Sequence, residues 1–204
     1  MDVLPSGDAA VLVEVADQDA ALDLFAALQA DRGPGIVDLV PGARTVLVVG
    51  DPAVAPPEML RRWVHGVRVV PRAARREARC VRIPVRYDGQ DLADVAVLLG
   101  TTPDAVVALH AGSAWRVAFG GFAPGFAYLV TDHERLAVPR LATPRIAVPA
   151  GAVGLAGAFS GVYPRTSPGG WRLIGTTDAA LWDDRRGALL APGTLVRFVP
   201  AAAP

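Results

Sequence analysis

A run of glycines and aromatic residues from Gly120 to Leu129 combines backbone and side chains that suit a binding pocket. The glycines allow close approach of the backbone, while Phe122, Phe126 and Tyr128 supply flat apolar walls. A buried turn with core aromatics explains the same residues equally well. The run is not a phosphate-binding loop, because it matches neither G-x-x-x-x-G-K-S/T nor G-x-G-x-x-G before a helix. A small-molecule pocket is therefore one of two open interpretations.

Two further turns carry groups that could bind an anion. The planar guanidinium of Arg145 could hold a carboxylate or phosphate through paired hydrogen bonds, although a surface ion pair is its commoner role. Residues 167–171 offer successive backbone donors around Gly169 and Gly170, a pattern typical of an anion-binding nest or of a plain hairpin turn. Ser167 lacks the G-x-S-x-G context of a hydrolase nucleophile. These turns indicate anion binding without identifying the anion.

Histidine and cysteine spacing argues against a metal site. His65, His110 and His133 are too far apart in sequence for a local metal-binding motif, and Cys80 is the one cysteine. His110 ends a predicted helix ahead of the glycine-aromatic run, where an imidazole could act as acid or base. Capping of the helix C-terminus is the alternative role. We therefore predict no metal ligands in this chain.

Composition excludes several classes of protein. Hydrophobic residues make up 52% of the chain and charged residues 20%, which is typical of a globular protein. A net charge of zero argues against nucleic-acid binding. All twenty cationic residues are arginine, so no lysine is available for a Schiff base. With one cysteine, no signal-like N-terminus and no apolar run of about 18 residues, we expect a cytoplasmic chain that is neither exported nor membrane-spanning.

Charge divides the chain into blocks. Residues 1–60 contain ten acids and two arginines, whereas residues 61–86 contain nine arginines and one glutamate. We place a domain boundary near Arg72–Arg79, which gives domains over residues 1–79 and 80–204. The arginine run itself is expected to be a solvated linker and helix end rather than a binding patch.

The N-terminal block alternates predicted strands and helices. Asp17 or Asp19 can cap the first helix, in which Leu24 and Leu28 follow helical spacing. The elements are a strand over 9–15, that helix, hairpin strands over 35–40 and 45–49, a helix over 57–67 and a strand over 80–86. This order resembles a split β-α-β arrangement.

The second block opens with two predicted helices, over 92–99 and 103–110, the latter capped by Thr102. Between Phe119 and Gly175, 16 of 57 residues are glycine or proline. They divide the chain into apolar runs of four to seven residues, a pattern that predicts a β-barrel or sandwich with tight turns.

These turns also carry a family resemblance. The motifs run in order as Gly121-Phe-Ala-Pro-Gly-Phe-Ala-Tyr-Leu129, Pro139-Arg140, Thr143-Pro144-Arg145, Val148-Pro-Ala-Gly-Ala-Val-Gly154 and Ser167-Pro-Gly-Gly-Trp171. The chain resembles the KipI family, whose members are also called the B subunit of 5-oxoprolinase or allophanate hydrolase subunit 1. The resemblance implies an α+β fold in which a small N-terminal split β-α-β-like domain precedes a cyclophilin-like β-barrel domain.

The resemblance implies membership of an ATP-dependent 5-oxoprolinase complex, which opens 5-oxoproline to L-glutamate while ATP becomes ADP and phosphate. Its expected partners are a homologous, KipA-like barrel protein, which is the C subunit of the complex, and the lactam-opening A subunit. We expect the isolated chain to be inactive. ATP would be the co-substrate, with Mg²⁺ held by the complex, and Asp132 and Glu134 are the acids to consider near the site.

Roles follow from the resemblance residue by residue. The catalytic candidates are His110, Arg116 and Arg145, of which the arginines would meet the substrate carboxylate or a phosphate. The substrate- and nucleotide-binding candidates are Phe122, Pro124, Gly125, Phe126, Tyr128, Gly151, Ser167, Gly169, Gly170 and Trp171.

Two other functions fit the same family. Some relatives are regulatory modules that inhibit a sensor histidine kinase, and others form half of a urea- or allophanate-type carboxyltransferase. The chain also departs from the family pattern at four places. It has Phe159-Ser160 for a glutamine-threonine pair, Thr176 for arginine, Thr194 for an acid and Trp115 for the usual tyrosine.

Overall fold

A computed structural model describes residues 1–71, 79–132 and 134–201, and the chain separates into two compact units, Met1–Glu77 and Ala78–Pro204. Of the predicted boundary segment Arg72–Arg79, all but Arg79 lies outside the described residues. His133 also lies outside them.

The first unit is a four-stranded antiparallel sheet with two helices. Its elements are β1 (Asp2–Ser6), β2 (Ala10–Glu14), α1 (Gln18–Ala30), β3 (Ile36–Pro41), β4 (Thr45–Gly50) and α2 (Pro57–Gly66). The strand order is β1-β2-β4-β3, so β4 lies between the two parallel strands that α1 connects. The predicted split β-α-β arrangement is confirmed.

Local signals set the helices of this unit. Asp17 caps α1 by accepting a 2.8 Å hydrogen bond from the backbone nitrogen of Ala20, and Pro57 occupies the first turn of α2. Leu28 of α1 and Leu60 of α2 are fully buried against the sheet. The strand predicted over residues 80–86 is present, but it belongs to the second unit and not to this one. The edge position is taken instead by β1, which the sequence reading missed.

The second unit is a nearly closed barrel with two helices. Its elements are β5 (Cys80–Val85), α3 (Leu92–Leu98), α4 (Pro103–Gly112), β6 (Trp115–Gly120), β7 (Ala127–Val130), β8 (Arg145–Val148), β9 (Ala152–Ala156), β10 (Phe159–Val162), β11 (Ser167–Gly169), β12 (Arg172–Thr176), β13 (Trp182–Asp183), β14 (Gly187–Ala188) and β15 (Leu195–Pro200). Seven strands form one sheet in the order β12-β9-β10-β7-β6-β15-β5. The remaining four form the pairs β8-β11 and β13-β14.

The two ends of the seven-stranded sheet meet at Arg86. Its backbone nitrogen donates to the Thr176 oxygen at 2.9 Å, and the Thr176 nitrogen donates back at 2.7 Å. The Arg86 guanidinium also pairs with Asp178 at 2.7 Å. Strand β5 reaches this seam because it runs parallel to β15, a pairing between chain segments more than a hundred residues apart. The predicted barrel architecture is confirmed.

Helices α3 and α4 pack on the barrel, and their predicted positions are confirmed. Thr102 caps α4 by accepting a hydrogen bond from the Ala105 nitrogen at 3.2 Å. Among the described residues, no single helix has the length and apolar character needed to cross a membrane; only α3 and α4 taken together, bent by 91°, meet that test.

Closure of the barrel requires glycine at position 175. A Cβ at Gly175 would lie 2.4 Å from the Arg86 backbone oxygen, so Gly175→Ala must push the two sheet ends apart. We expect a loss of about 1–3 kcal/mol in the free energy of unfolding, measured by urea denaturation. Gly112→Ala is the control, because open space surrounds that position at the end of α4. Equal stability of the two variants would show that the seam does not contribute to the stability of the barrel.

Candidate functional site

The second unit contains a small cavity of about 80 Å³ beside the β8-β11 pair. It is lined by Phe122, Phe126, Tyr128, Arg140, Tyr163, Pro168, Gly169, Gly170 and Trp171. The structure therefore brings together six of the ten predicted binding residues. It adds Arg140, Tyr163 and Pro168, which the sequence analysis did not assign to the site.

The wall of the cavity is a set of aromatic rings centred on Phe126. This ring meets Tyr128, Tyr163 and Trp171 edge to face, with centroids 5.1 to 5.4 Å apart. Gly161 makes room for them, since a Cβ there would lie 3.0 Å from the Trp171 ring and 3.1 Å from the Phe126 ring. Edge-to-face contacts fix ring orientation, so the wall is rigid and apolar.

The floor of the cavity carries a phenol hydroxyl. Tyr163 is almost fully buried, and its oxygen lies where a Cβ on Gly169 would be, which requires glycine at position 169. Burial raises the pKa of Tyr163, while a hydrogen bond from the Trp171 backbone and the charges of Arg140 and Arg145 lower it. Since the net pKa shift is upward, the phenol stays protonated at neutral pH and can donate a hydrogen bond.

The mouth of the cavity is shaped by the turn that contains Phe122. The Ala123 nitrogen donates to the Gly121 oxygen at 2.8 Å, which places Phe122 in a γ-turn with φ of +69°. This is the rarer and more strained form of that turn. The Phe122 ring is 57% exposed and contacts Phe126 edge to face. A large apolar ring is thus held at the opening in a backbone conformation that favours glycine.

Pro124 and Gly125 belong to the same turn but do not line the cavity. Pro124 is exposed. Gly125 is buried with φ of +84°, and a Cβ there would lie 3.0 Å from the Leu181 oxygen. Their part in the site is to shape the turn.

Arg145 lies close to the cavity, but its guanidinium is already occupied. Nη2 pairs with the Asp91 carboxylate at 2.6 Å, and Nη1 donates to the Trp171 oxygen at 3.2 Å. The amide of Gln90, turned with its oxygen toward the guanidinium, accepts from Nε at 2.6 Å. A substrate anion at Arg145 would have to compete with a nearly buried carboxylate. This arginine therefore holds β8 against the start of α3.

His110 lies in the core of the second unit rather than at the cavity. Its Nδ1 is 2.8 Å from the Tyr87 hydroxyl, its Nε2 is 2.9 Å from Ser160 Oγ, and its ring stacks on Phe198 at 4.4 Å. Burial lowers the pKa of His110 to about 3, so the ring is neutral at neutral pH. The three contacts tie α4 to the barrel.

The other predicted residues are dispersed. Arg116 donates to the Gly193 oxygen at 3.1 Å, and Ser167 donates to the Arg165 oxygen at 3.1 Å. Gly151 has φ of +80° and faces the Thr177 backbone. In the described part of the chain, no group of three His, Cys, Asp or Glu side chains could hold a metal ion. Of the two acids considered from the sequence, Glu134 is exposed and Asp132 is also accessible.

The departures from the family pattern occupy structural positions. Phe159 packs edge to face on Phe119 and Tyr128. Thr176 forms the barrel seam and donates to Asp88 at 2.8 Å. Thr194 is buried, and its oxygen accepts from the Val117 nitrogen at 2.9 Å. Trp115 is buried and donates from Nε1 to the His110 oxygen at 3.0 Å.

Two cavity-lining residues that the sequence analysis missed, Tyr163 and Arg140, have sequence features that could have identified them. Both stand beside prolines, Arg140 within a quoted motif and Tyr163 shortly before one, and both lie near Gly169 and Gly170 in the fold.

The first unit also has a surface groove of about 680 Å³ between the C-terminal ends of α1 and α2. No predicted site residue lines it, and Asp31 there already accepts from Trp63 Nε1 at 2.9 Å.

Comparisons with a family model and with known proteins agree on one family. The family model described as carboxyltransferase domain, subdomain C and D, matches residues 1–190. A protein from Escherichia coli that is named as the B subunit of 5-oxoprolinase is 43% identical over 176 residues, which covers 82% of this chain and 79% of that protein.

Solved structures agree in fold. The protein TTHA0988 superposes with a TM-score of 0.82 and 38% identity, and the match covers 97% of this chain but only 41% of the TTHA0988 chain. The Kluyveromyces lactis urea amidolyase has a TM-score of 0.72 at 18% identity, with 98% of this chain and 15% of that one covered. At that identity the likeness concerns the fold alone.

The burial of His110 predicts a specific acid sensitivity. Because the folded-state pKa is about 3 and the unfolded value about 6.5, protonation favours the unfolded state. The contribution of the neutral ring to the free energy of unfolding is fully present above about pH 6.5. It falls by about 1.4 kcal/mol per pH unit as the pH is lowered from there toward the folded-state pKa of about 3. Urea unfolding between pH 7 and pH 4 measures this slope.

His110→Gln should remove that part of the pH dependence, whereas His65→Gln should keep it, because His65 is exposed in α2. An unchanged slope in His110→Gln would contradict the assignment.

The Arg145–Asp91 pair predicts a recoverable loss of stability. Arg145→Met leaves the buried Asp91 carboxylate without its partner and should destabilise the protein by about 2 kcal/mol, less than for a fully buried pair because Arg145 is partly exposed. Adding Asp91→Asn should restore about half of the loss, since the neutral amide still accepts from the Leu173 nitrogen. If Arg145→Met kept full stability but abolished activity of the assembled complex, Arg145 would have the catalytic role predicted from the sequence.

Proposed function

Because this chain belongs to the carboxyltransferase domain family, subdomains C and D, we propose that it is the B subunit of an ATP-dependent 5-oxoprolinase. The complex opens the lactam of 5-oxoproline to L-glutamate, and the cavity of the second unit binds the lactam ring. The observation that carries this proposal is an aromatic-walled cavity with a phenol donor on its floor, in a chain 43% identical to a protein named as the B subunit of 5-oxoprolinase.

The size of the cavity supports a small substrate rather than a nucleotide. Pockets for drug-sized ligands occupy roughly 300–1,000 Å³, several times the volume of about 80 Å³ found between these rings. A single five-membered ring is suited to such a slot, and flat apolar walls exclude water from it. We therefore assign ATP to another part of the complex. This differs from the expectation in the sequence analysis that the cavity residues could bind the nucleotide as well as the substrate.

The proposed reaction needs chemical groups that this cavity does not supply. ATP transfers its terminal phosphoryl group to the lactam oxygen and leaves as ADP, water adds to the ring carbon, and the C–N bond breaks. A second water then releases phosphate from the resulting acyl phosphate to give L-glutamate. Among the described residues that line the cavity there is no carboxylate, histidine or thiol that could serve as base.

The missing base supports a shared site. The proposed partners are the C subunit, of related barrel fold, and the lactam-opening A subunit, with Mg²⁺ held by the complex. In TTHA0988 the matched fold makes up less than half of the chain, so there it is joined to further polypeptide. We expect such a complex to work in the cytoplasm, where ATP is available.

Carboxyl transfer is the second candidate. The family description and the fold likeness to the Kluyveromyces lactis urea amidolyase favour it. In that case the complex would require a biotin carrier and bicarbonate, and it would show no 5-oxoproline-dependent ADP release. Inhibition of a sensor histidine kinase stays a prediction of the family resemblance.

Reconstitution tests the proposal. We expect a mixture of this chain and its two partner subunits to release ADP and glutamate in equal amounts when 5-oxoproline is added. This release should stop when this chain is omitted. An assembled complex that releases neither product would contradict the proposed function.

A pair of variants tests the cavity itself. Phe122→Gly should leave stability within about 1 kcal/mol of the wild type, because relief of the left-handed backbone offsets the lost ring contacts. Its activity in the complex should nevertheless fall about fivefold, since the lost apolar contact of this ring with a bound ligand is worth about 1 kcal/mol. Val97→Ala, at a highly exposed apolar position on α3, is the matched control and should keep full activity.

A further inference from the structure

Among the arginines considered for anion binding, Arg140 differs from Arg145 and Arg116. Arg145 is held by Asp91 and Gln90, and Arg116 donates to a backbone oxygen. Arg140 is exposed at the edge of the cavity, and within the described residues it makes no hydrogen bond or ion pair. We propose that Arg140 binds the carboxylate of the substrate while the ring enters the cavity. This inference rests on the proposed function.

The backbone that carries Arg140 is fixed on both sides. The Arg172 Nε donates to the Pro139 oxygen at 3.0 Å, and the Leu141 nitrogen donates to the Gly170 oxygen at 2.8 Å. These bonds attach residues 139–141 to the chain on either side of Trp171, which forms part of the cavity wall. The base of the side chain is therefore positioned, while its guanidinium stays accessible to a ligand.

The local charge favours an anionic ligand. No acidic side chain lines the cavity among the described residues, so Arg140 is the charged group that faces an entering molecule. Its charge acts on the Tyr163 hydroxyl, which places the guanidinium within electrostatic reach of the cavity floor. A planar guanidinium binds a carboxylate through two parallel hydrogen bonds.

Shape selects a carboxylate on a small ring. A ligand that reaches the rings of Phe126 and Trp171 must be flat, and a volume of about 80 Å³ admits no nucleoside. A carboxylate attached at the edge of such a ring would remain outside the rings, beside Arg140. The cavity and Arg140 together thus fit a small ring that bears a carboxylate at its edge, as 5-oxoproline does.

Kinetics of the assembled complex test this assignment. Arg140→Gln should raise the KM for 5-oxoproline by about 10- to 100-fold, the value of a charge-assisted pair, and should leave the KM for ATP unchanged. The KM of Arg140→Lys for 5-oxoproline should lie between those of the wild type and of Arg140→Gln, because lysine keeps the charge but loses the paired hydrogen bonds. Arg82→Gln removes the same charge from an exposed position on β5 that does not line the cavity, and it should match the wild type.

The outcomes separate this inference from the proposed function. If the wild-type complex is active but Arg140→Gln leaves the KM for 5-oxoproline unchanged, Arg140 does not bind the carboxylate and the proposed function stands. If Arg140→Gln raises the KM for ATP instead, the anion at this position is a phosphate, and the inference is wrong. A wild-type complex without 5-oxoproline-dependent ADP release overturns the proposed function, and the carboxylate assignment falls with it.

Discussion

The architecture around the cavity depends on the buried carboxylate of Asp91. One of its oxygens pairs with Arg145 and the other accepts from the Leu173 nitrogen at 2.6 Å, so three distant segments meet on one side chain. Arg145 begins β8, and Leu173 lies in β12 just after the aromatic wall. A carboxylate so buried has little access to water, and each partner is needed to compensate for its burial. The Trp171 oxygen accepts from Arg145, and Trp171 lies two residues before Leu173, so the contacts of Asp91 also position Trp171.

Local chemistry allowed much of the fold to be predicted. Asp17, Thr102 and Pro57 mark helix starts whose side chains or ring geometry act within one turn, and these starts were found in the structure. The glycine and proline spacing likewise indicated short barrel strands. Such signals act over a few residues, so they can be read without knowledge of the rest of the chain.

Long-range pairing could not be read in this way. Strand β5 follows the first unit in sequence but pairs in parallel with β15, because only the closing barrel offers it a partner edge. In the same way, nothing in the neighbourhood of Arg145 reveals that Asp91 will occupy its guanidinium, or that Arg140 will be left accessible. A motif can identify arginines near a site, but which of them is available depends on the acids that folding brings to them.

The edge-to-face packing of the cavity wall limits how far this protein can adapt to other ligands. Phe126 contacts rings on several sides, and Gly161 leaves no spare volume behind Phe126 and Trp171, so no single ring can move aside alone. A ligand enlarged by one methylene would have to displace the whole group, and a misfit of that size is worth about 1–3 kcal/mol in discrimination. If the cavity holds the lactam ring as proposed, this packing makes it selective for ring size.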